Sequence, residues 1–152
     1  MAQAFRFQFL LEQAQEKSDK AARLMAEIKA QWQLGEQKLQ QLQGFVGDYR
    51  NRFVTAQSGG LSVNQWRDYQ LFMVKLDTAL KQQVGEVELF RQRFDEAKAR
   101  WLDTQREVKA MQALAERQAR TELARQAKRE QKELDEYASK LAYRKTREQQ
   151  DE

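Results

Sequence analysis

From Phe7 to Phe53 the chain can be followed in alternating steps of four and three residues. Twelve of the fourteen positions reached are hydrophobic: Phe7, Leu11, Ala14, Ala21, Met25, Ile28, Trp32, Leu39, Leu42, Val46, Tyr49 and Phe53, with Ser18 and Gly35 the two breaks. The residues between them are mostly Gln, Glu, Lys and Arg. A seven-residue repeat held this long demands a supercoiled partner, because a straight helix would carry the stripe slowly round its own surface. The pattern returns through Trp66, Tyr69, Met73, Leu76, Leu80, Gln83, Val87, Phe90, Phe94, Ala97, Trp101, Thr104, Val108, Met111 and Ala115, broken by Gln83 and Thr104. It then slips through Ala119 and resumes as Leu123, Ala127, Glu130, Leu134, Tyr137 and Leu141, a stutter of the kind that locally unwinds a coil.

Nothing in the composition opposes helices of this length. The 152 residues contain no proline, and an interior proline costs a helix about 3 kcal/mol. Turn signals concentrate at Gln57-Ser58-Gly59-Gly60, where the glycine pair permits the positive φ that a reversal needs. Ser62 and Gln65 follow at the spacing of a capping box. The expected fold is all-α: one long antiparallel two-helix coiled-coil hairpin, with the second helix longer than the first. Helix one covers about residues 5–56, the turn 57–61, helix two 62–145 and a disordered tail 146–152, all in one elongated domain. A short turn makes the antiparallel arrangement the simplest, since parallel helices would need a connection as long as themselves.

Two registers one heptad apart both set small side chains against large ones. One pairs Phe53 with Tyr69, Trp32 with Phe90 and Ala21 with Trp101. The other pairs Tyr49 with Trp66, Ala21 with Phe94 and Ala14 with Trp101. Periodicity does not choose between them. At 1.5 Å per residue the helices would be roughly 70 and 120 Å long, so Glu116 to Tyr143 is expected to lack a partner within the chain. A lone helix with a thin apolar stripe is marginal in water and orders fully against another molecule.

The chain has no cysteine and no histidine. Disulfides and zinc-thiolate sites are thereby excluded, and the commonest general base and metal ligand are missing. No cofactor and no enzymatic activity are expected. The apolar stretch Phe5 to Leu11 is interrupted by Arg6 and Gln8, and nothing approaches the length of a membrane span. A cytoplasmic location without direct membrane insertion follows. The net charge of +4 is spread evenly. Arg117, Arg120, Arg125, Lys128 and Arg129 form one local basic cluster, but Glu116, Glu122, Glu130, Glu133, Asp135 and Glu136 lie among or beside them and would repel phosphates. The mosaic suits a protein partner better than nucleic acid. Phe45 and Phe72 fall off both seams yet flank Leu42, Tyr49 and Leu76. They either widen the local core or, with Ala79, form a docking patch.

Tyr49-Arg50, Ser58-Gly59-Gly60-Leu61, Trp66, Tyr69-Gln70, Phe72 and Leu76 resemble the family of the flagellar type III export protein FliJ. So do Trp101, Gln112-Ala113-Leu114, Glu116-Arg117-Gln118, Gln131-Lys132, Asp135-Glu136-Tyr137-Ala138 and Arg144-Lys145, in that order. The resemblance spans nearly the whole chain. It implies a coiled coil similar to that of the rotary ATPase γ subunit, which binds the hexameric export ATPase within its ring and the cytoplasmic part of the export-gate membrane protein. It also implies escort of export chaperones, and a place at the inner face of the cell membrane through the export apparatus.

Carried over from the family, the gate patch comprises Lys38, Leu42, Phe45, Tyr49, Phe72, Leu76, Ala79 and Gln83. Lys38 and Gln83 depart from the family's usual pattern. The segment from Ala115 to Tyr143 would enter the ATPase ring, with Arg117, Arg120, Leu123, Arg125, Lys128, Leu134 and Tyr137 as contacts. Three other readings compete: the related stalk of a virulence secretion system, a nucleic-acid-associated coiled coil, and a homodimer paired through the overhanging ends.

Overall fold

The computed structural model describes residues 2–151. It contains two helices, α1 (Ala2–Ser58, 57 residues) and α2 (Val63–Gln150, 88 residues). The fold is all-α, an antiparallel coiled-coil hairpin whose second helix is the longer. Helix α1 starts at Ala2, through the good helix formers Ala2, Gln3 and Ala4. At the other end α2 runs to Gln150, so residues 146–150 are helical rather than a disordered tail. After Gly85 the sequence offers neither glycine nor proline to stop it.

The turn is built as its residues dictate. The amides of Gly59 and Gly60 donate to the carbonyls of Ala56 and Gln57 at 3.1 and 3.2 Å, closing α1 with tighter three-residue bonds. Gly60 then takes φ +86°, a conformation that costs other residues strain. The capping box forms in both directions: Ser62 N donates to Gln65 Oε1 at 3.0 Å, and Gln65 N to Ser62 Oγ at 3.2 Å. Two otherwise orphaned amides of α2 are thereby satisfied.

Residues 17–105 form one compact unit and residues 2–16 with 106–151 another. In the first unit every seam position of α1 from Ser18 to Phe53 is buried or half-buried, as is every one of α2 from Tyr69 to Thr104. Trp66 is the exception, with 48% of its surface exposed. Phe53 stacks on Tyr69 with ring centroids 3.5 Å apart and planes 13° from parallel, and Tyr49 lies 5.4 Å from the same ring. Gly35 faces Val87, whose Cγ2 a Cβ at position 35 would meet at 3.4 Å. Both pairings belong to the register that aligns Trp32 with Phe90 and Ala21 with Trp101. The alternative, with Tyr49 opposite Trp66, is not adopted.

Matching of the seam's breaks accounts for this choice. Gln83 Nε2 reaches across to the carbonyl of Gly35 at 3.0 Å. Ser18, 1% exposed, accepts a hydrogen bond from Gln105 Nε2 at 2.5 Å. Sliding by seven residues would set Gly35 against Leu80 and Ser18 against Ala97 and dissolve both pairings. A buried polar group without a partner costs about 1–3 kcal/mol, enough to decide between two otherwise comparable apolar seams.

In the second unit Ala14 and Val108 are buried, and Phe7, Leu11, Met111 and Ala115 half-buried. The heptad of α2 does not slip at Ala119, which is exposed. It continues through Gln118 and Glu122, both half-buried, and Gln118 Nε2 donates to Gln3 Oε1 at 2.9 Å. Polar residues at these two positions hide the continuing seam from a hydrophobicity reading. Because α1 starts at Ala2, its coverage of α2 extends to Glu122. The bare stretch therefore begins near Leu123, not at Glu116 or Ala115 as the sequence suggested, and every residue from Leu123 to Gln150 is exposed.

Candidate functional site

The carried-over patch lies within the unit of residues 17–105, on α1 between Lys38 and Tyr49 and on α2 between Phe72 and Gln83. Antiparallel pairing folds these two segments side by side. Phe72 lies 4.6 Å from Tyr49 and 6.4 Å from Phe45, edge-on to the latter at 72°. Such tilted and edge-to-face pairs add about 0.5–1.5 kcal/mol beyond the area they bury. Phe45 remains 52% exposed, whereas Phe72 is half-buried. Of the two readings of these off-seam rings, Phe72 fits the widened core and Phe45 an open surface.

Lys38, Leu42, Phe45 and Gln83 line one groove, together with Gln41. Lys38 and Gln83 also border the neighbouring groove with Gln31, Leu34, Gly35, Glu86 and Phe90. Ala79 and Tyr49 are half-buried. Leu76 is 8% exposed and belongs to the core. It offers little surface of its own. Gln83 commits one amide hydrogen to Gly35. By exposure the eight residues divide into two open (Lys38, Phe45), five half-buried (Leu42, Tyr49, Phe72, Ala79, Gln83) and one buried (Leu76).

Exposed Leu34, Leu71 and Val74 on the same unit were not singled out from the sequence. Their signal was present as hydrophobes off the seam, with Leu71 and Val74 three residues apart and so on neighbouring helical positions. One charged cluster of this unit is satisfied locally. Arg91 grips Glu88 through Nε at 3.0 Å and Nη2 at 2.6 Å, and reaches Asp95 through Nη1 at 2.9 Å. The hydrogen bond from Arg91, reinforced by its charge, holds the Glu88 carboxyl below its ordinary value of 4.5.

The proposed ring contacts lie in the other unit. Arg117, Arg120, Leu123, Arg125, Lys128, Leu134 and Tyr137 are all exposed. Leu123 lines a trough with Ala4, Phe7, Ala115 and Ala119 and with the polar Gln8, Gln118, Glu122 and Gln126. Leu134 and Tyr137 stand on the bare helix, with 68% and 63% of their surfaces open. Arg120 and Arg125 lie 3.9 Å from Glu116 and Glu122, so local carboxylates partly offset the basic cluster.

Residues 3–147 match the family model described as Flagellar FliJ protein. The chain is 31% identical over 145 residues to the Flagellar FliJ protein of Salmonella typhi, a match covering 95% of this chain and 99% of that protein. It is 32% identical over 132 residues to the Flagellar FliJ protein of Escherichia coli (strain K12), covering 87% and 90% respectively.

Proposed function

This chain belongs to the FliJ family of flagellar proteins, and from that premise we propose that it is a non-enzymatic coupling component of flagellar type III protein export. In this reading the patch around Phe45 and Phe72 meets the cytoplasmic part of the export-gate membrane protein. The bare end of α2 enters the ring of the hexameric export ATPase. The protein escorts export chaperones and works in the cytoplasm, held at the inner face of the cell membrane through the export apparatus.

The observation that carries the reading is the half-exposed Phe45, edge-on to Phe72 and beside the groove of Lys38, Leu42 and Gln83. A large aromatic left open beside a wet rim and an apolar wall has the composition of an interface hot spot. A single helix with both charge signs suits a ring interior, since no one orientation would be held too tightly for turnover. Nucleic acid fits less well, because carboxylates sit within reach of the arginines.

The test replaces Phe45 and Phe72 by alanine together. Capture of the gate's cytoplasmic part should fall by at least about tenfold, the loss of roughly 1.4 kcal/mol or more that a hot spot carries, while helicity is retained. If capture persists, or if helicity collapses in step with it, the patch is not the docking surface. Leu76→Ala serves as the contrast, since its buried side chain should lower the melting temperature first.

A further inference from the structure

Trp66 differs from the other two tryptophans, Trp32 and Trp101, which are half-buried in the seam. The adopted register brings it opposite Ala56, two residues before α1 ends, so no large side chain covers it. With Gln57, Leu61, Ser62 and Val63 it lines a shallow groove around the turn. Val63 is 75% exposed, and so is most of Val54 in the last turns of α1. Apolar surface is therefore open on both helices and on the turn between them. The same stretch is cationic in sequence: from Tyr49 to Arg67 it holds Arg50, Arg52 and Arg67 and no carboxylate, with Asp48 and Asp68 just outside, and the one acidic residue that shares a groove with Arg50, Asp77, is itself paired to Lys81. None of the three arginines is ion-paired among the described residues.

We propose that the hairpin turn docks on an anionic lipid surface, with Trp66, Val63 and Leu61 entering the headgroup level and Arg50, Arg52 and Arg67 meeting lipid phosphates. Tryptophan favours this boundary because its ring is apolar and its N–H polar. The long arginine stems let their charge remain at the phosphates while apolar neighbours sink below. Basic side chains without intervening carboxylates are attracted to an anionic leaflet. The contact is interfacial: among the described residues no helix is long and apolar enough to cross a membrane. The basic cluster from Arg117 to Arg129 is the weaker candidate, since Glu116 and Glu122 lie beside its arginines.

The experiment uses the full chain carrying Trp32→Phe and Trp101→Phe, so that Trp66 alone fluoresces, alongside the unaltered chain. Each is sedimented with vesicles of phosphatidylcholine, or of phosphatidylcholine and phosphatidylglycerol in equal parts. Binding is expected to the anionic vesicles only, to weaken with salt, and to come with a blue shift of Trp66 emission and quenching by brominated acyl chains. In the unaltered background, Trp66→Ser, Val63→Asp and the triple change Arg50→Gln, Arg52→Gln, Arg67→Gln should each lower vesicle affinity by about tenfold or more. Circular dichroism should show that the variants keep their helices. Failure of the unaltered chain to bind anionic vesicles overturns the proposal. So does binding with Trp66 emission unshifted, which would assign the contact to another basic segment. Loss of gate capture by Trp66→Ser without any vesicle binding would overturn it too, making the turn a protein contact. Gate capture assayed without lipid is a separate readout, so the two proposals can fail independently.

Discussion

Gln83 donates its side-chain amide to the backbone carbonyl of Gly35 at 3.0 Å, and both residues stand where the heptad would place hydrophobes. The glycine removes a side chain and the glutamine fills part of the vacated space, with its polar end satisfied. Bulk at position 35 should therefore be penalised. Gly35→Leu drives a branched side chain into Val87 and Phe90, whose atoms lie only 3.4 and 3.8 Å from a bare Cβ. It is expected to destabilise by about 1–3 kcal/mol. Gly35→Ala places its Cβ in ordinary contact and gains helix propensity, so stability should rise by about 0.5–1 kcal/mol. Urea denaturation followed by circular dichroism measures both. A stabilising Gly35→Leu would show the site to be roomier than described.

Ser18 and Gln105 make the second cross-seam polar contact. Ser18→Ala and Gln105→Ala should each cost about 1 kcal/mol, and the double variant should cost less than their sum by roughly 0.5–1 kcal/mol. Additive losses would mean that the hydrogen bond carries no coupling of its own.

These two contacts also mark where the sequence stops being sufficient. The seams were legible because Phe7 to Phe53 and Tyr69 to Ala115 repeat every seven residues, and seam membership depends on spacing alone. Register was not, because a slide of seven keeps every seam residue in the seam and still sets Ala21 against an aromatic ring. The tie is broken by Gly35 with Gln83 and Ser18 with Gln105, which periodicity records only as interruptions. Trp66 reads as a seam residue yet is exposed, because seam membership does not say that the opposing helix still has a large side chain to offer. Gln118 and Glu122 err in the opposite direction, as polar residues that continue the coil. At the patch, the resemblance grouped eight positions, of which Phe45, Tyr49 and Phe72 are in ring contact and Lys38, Leu42, Phe45 and Gln83 share a groove. It could not separate the open Phe45 from the buried Leu76, which depends on how far each ring or branch reaches over its neighbours.

The two glycines of the turn are not equivalent. Gly60 has φ +86°, whereas a Cβ on Gly59 would lie 3.6 Å from the Ala56 carbonyl oxygen with no positive φ to oppose it. Gly60→Ala should therefore destabilise the hairpin by about 1–2 kcal/mol and Gly59→Ala by less than about 0.5 kcal/mol. Equal effects in thermal denaturation would contradict the turn geometry.

Glu88 gives the fold a local acid response. The hydrogen bond from Arg91 comes first among the causes that set its carboxyl below 4.5; desolvation opposes it, and the charge of Arg91 and a hydrogen bond from Gln92 add to the lowering. A carboxyl depressed in the folded state favours folding above its ordinary value, and that contribution is lost as pH falls through the folded value. Carbon-13 NMR of the Glu88 carboxyl should show a midpoint below 4.5 that moves up with added salt, since the pair is exposed. Arg91→Gln should return the midpoint to the ordinary range. An unchanged midpoint in that variant would remove Arg91 as the cause.

The distal part of α2 makes the sharpest demand on the structure. From Leu123 to Gln150 every residue is exposed, so its helix is held by propensity and by neighbouring charges, without a core. Isolated helices of this sort open readily. Backbone amides from 125 to 145 should exchange with solvent deuterium at least about a hundredfold faster than those of Met25 to Leu39, where both helices contribute to the seam. Adding the export ATPase should slow exchange in 125–145 and leave 25–39 unchanged, if the bare segment is what the ring receives. Strong protection of 125–145 in the protein alone would instead require a covering partner, the second copy of the chain being the one available. Sedimentation velocity on the same sample would then have to show a dimer. A protected monomer would contradict the exposure of Leu134 and Tyr137.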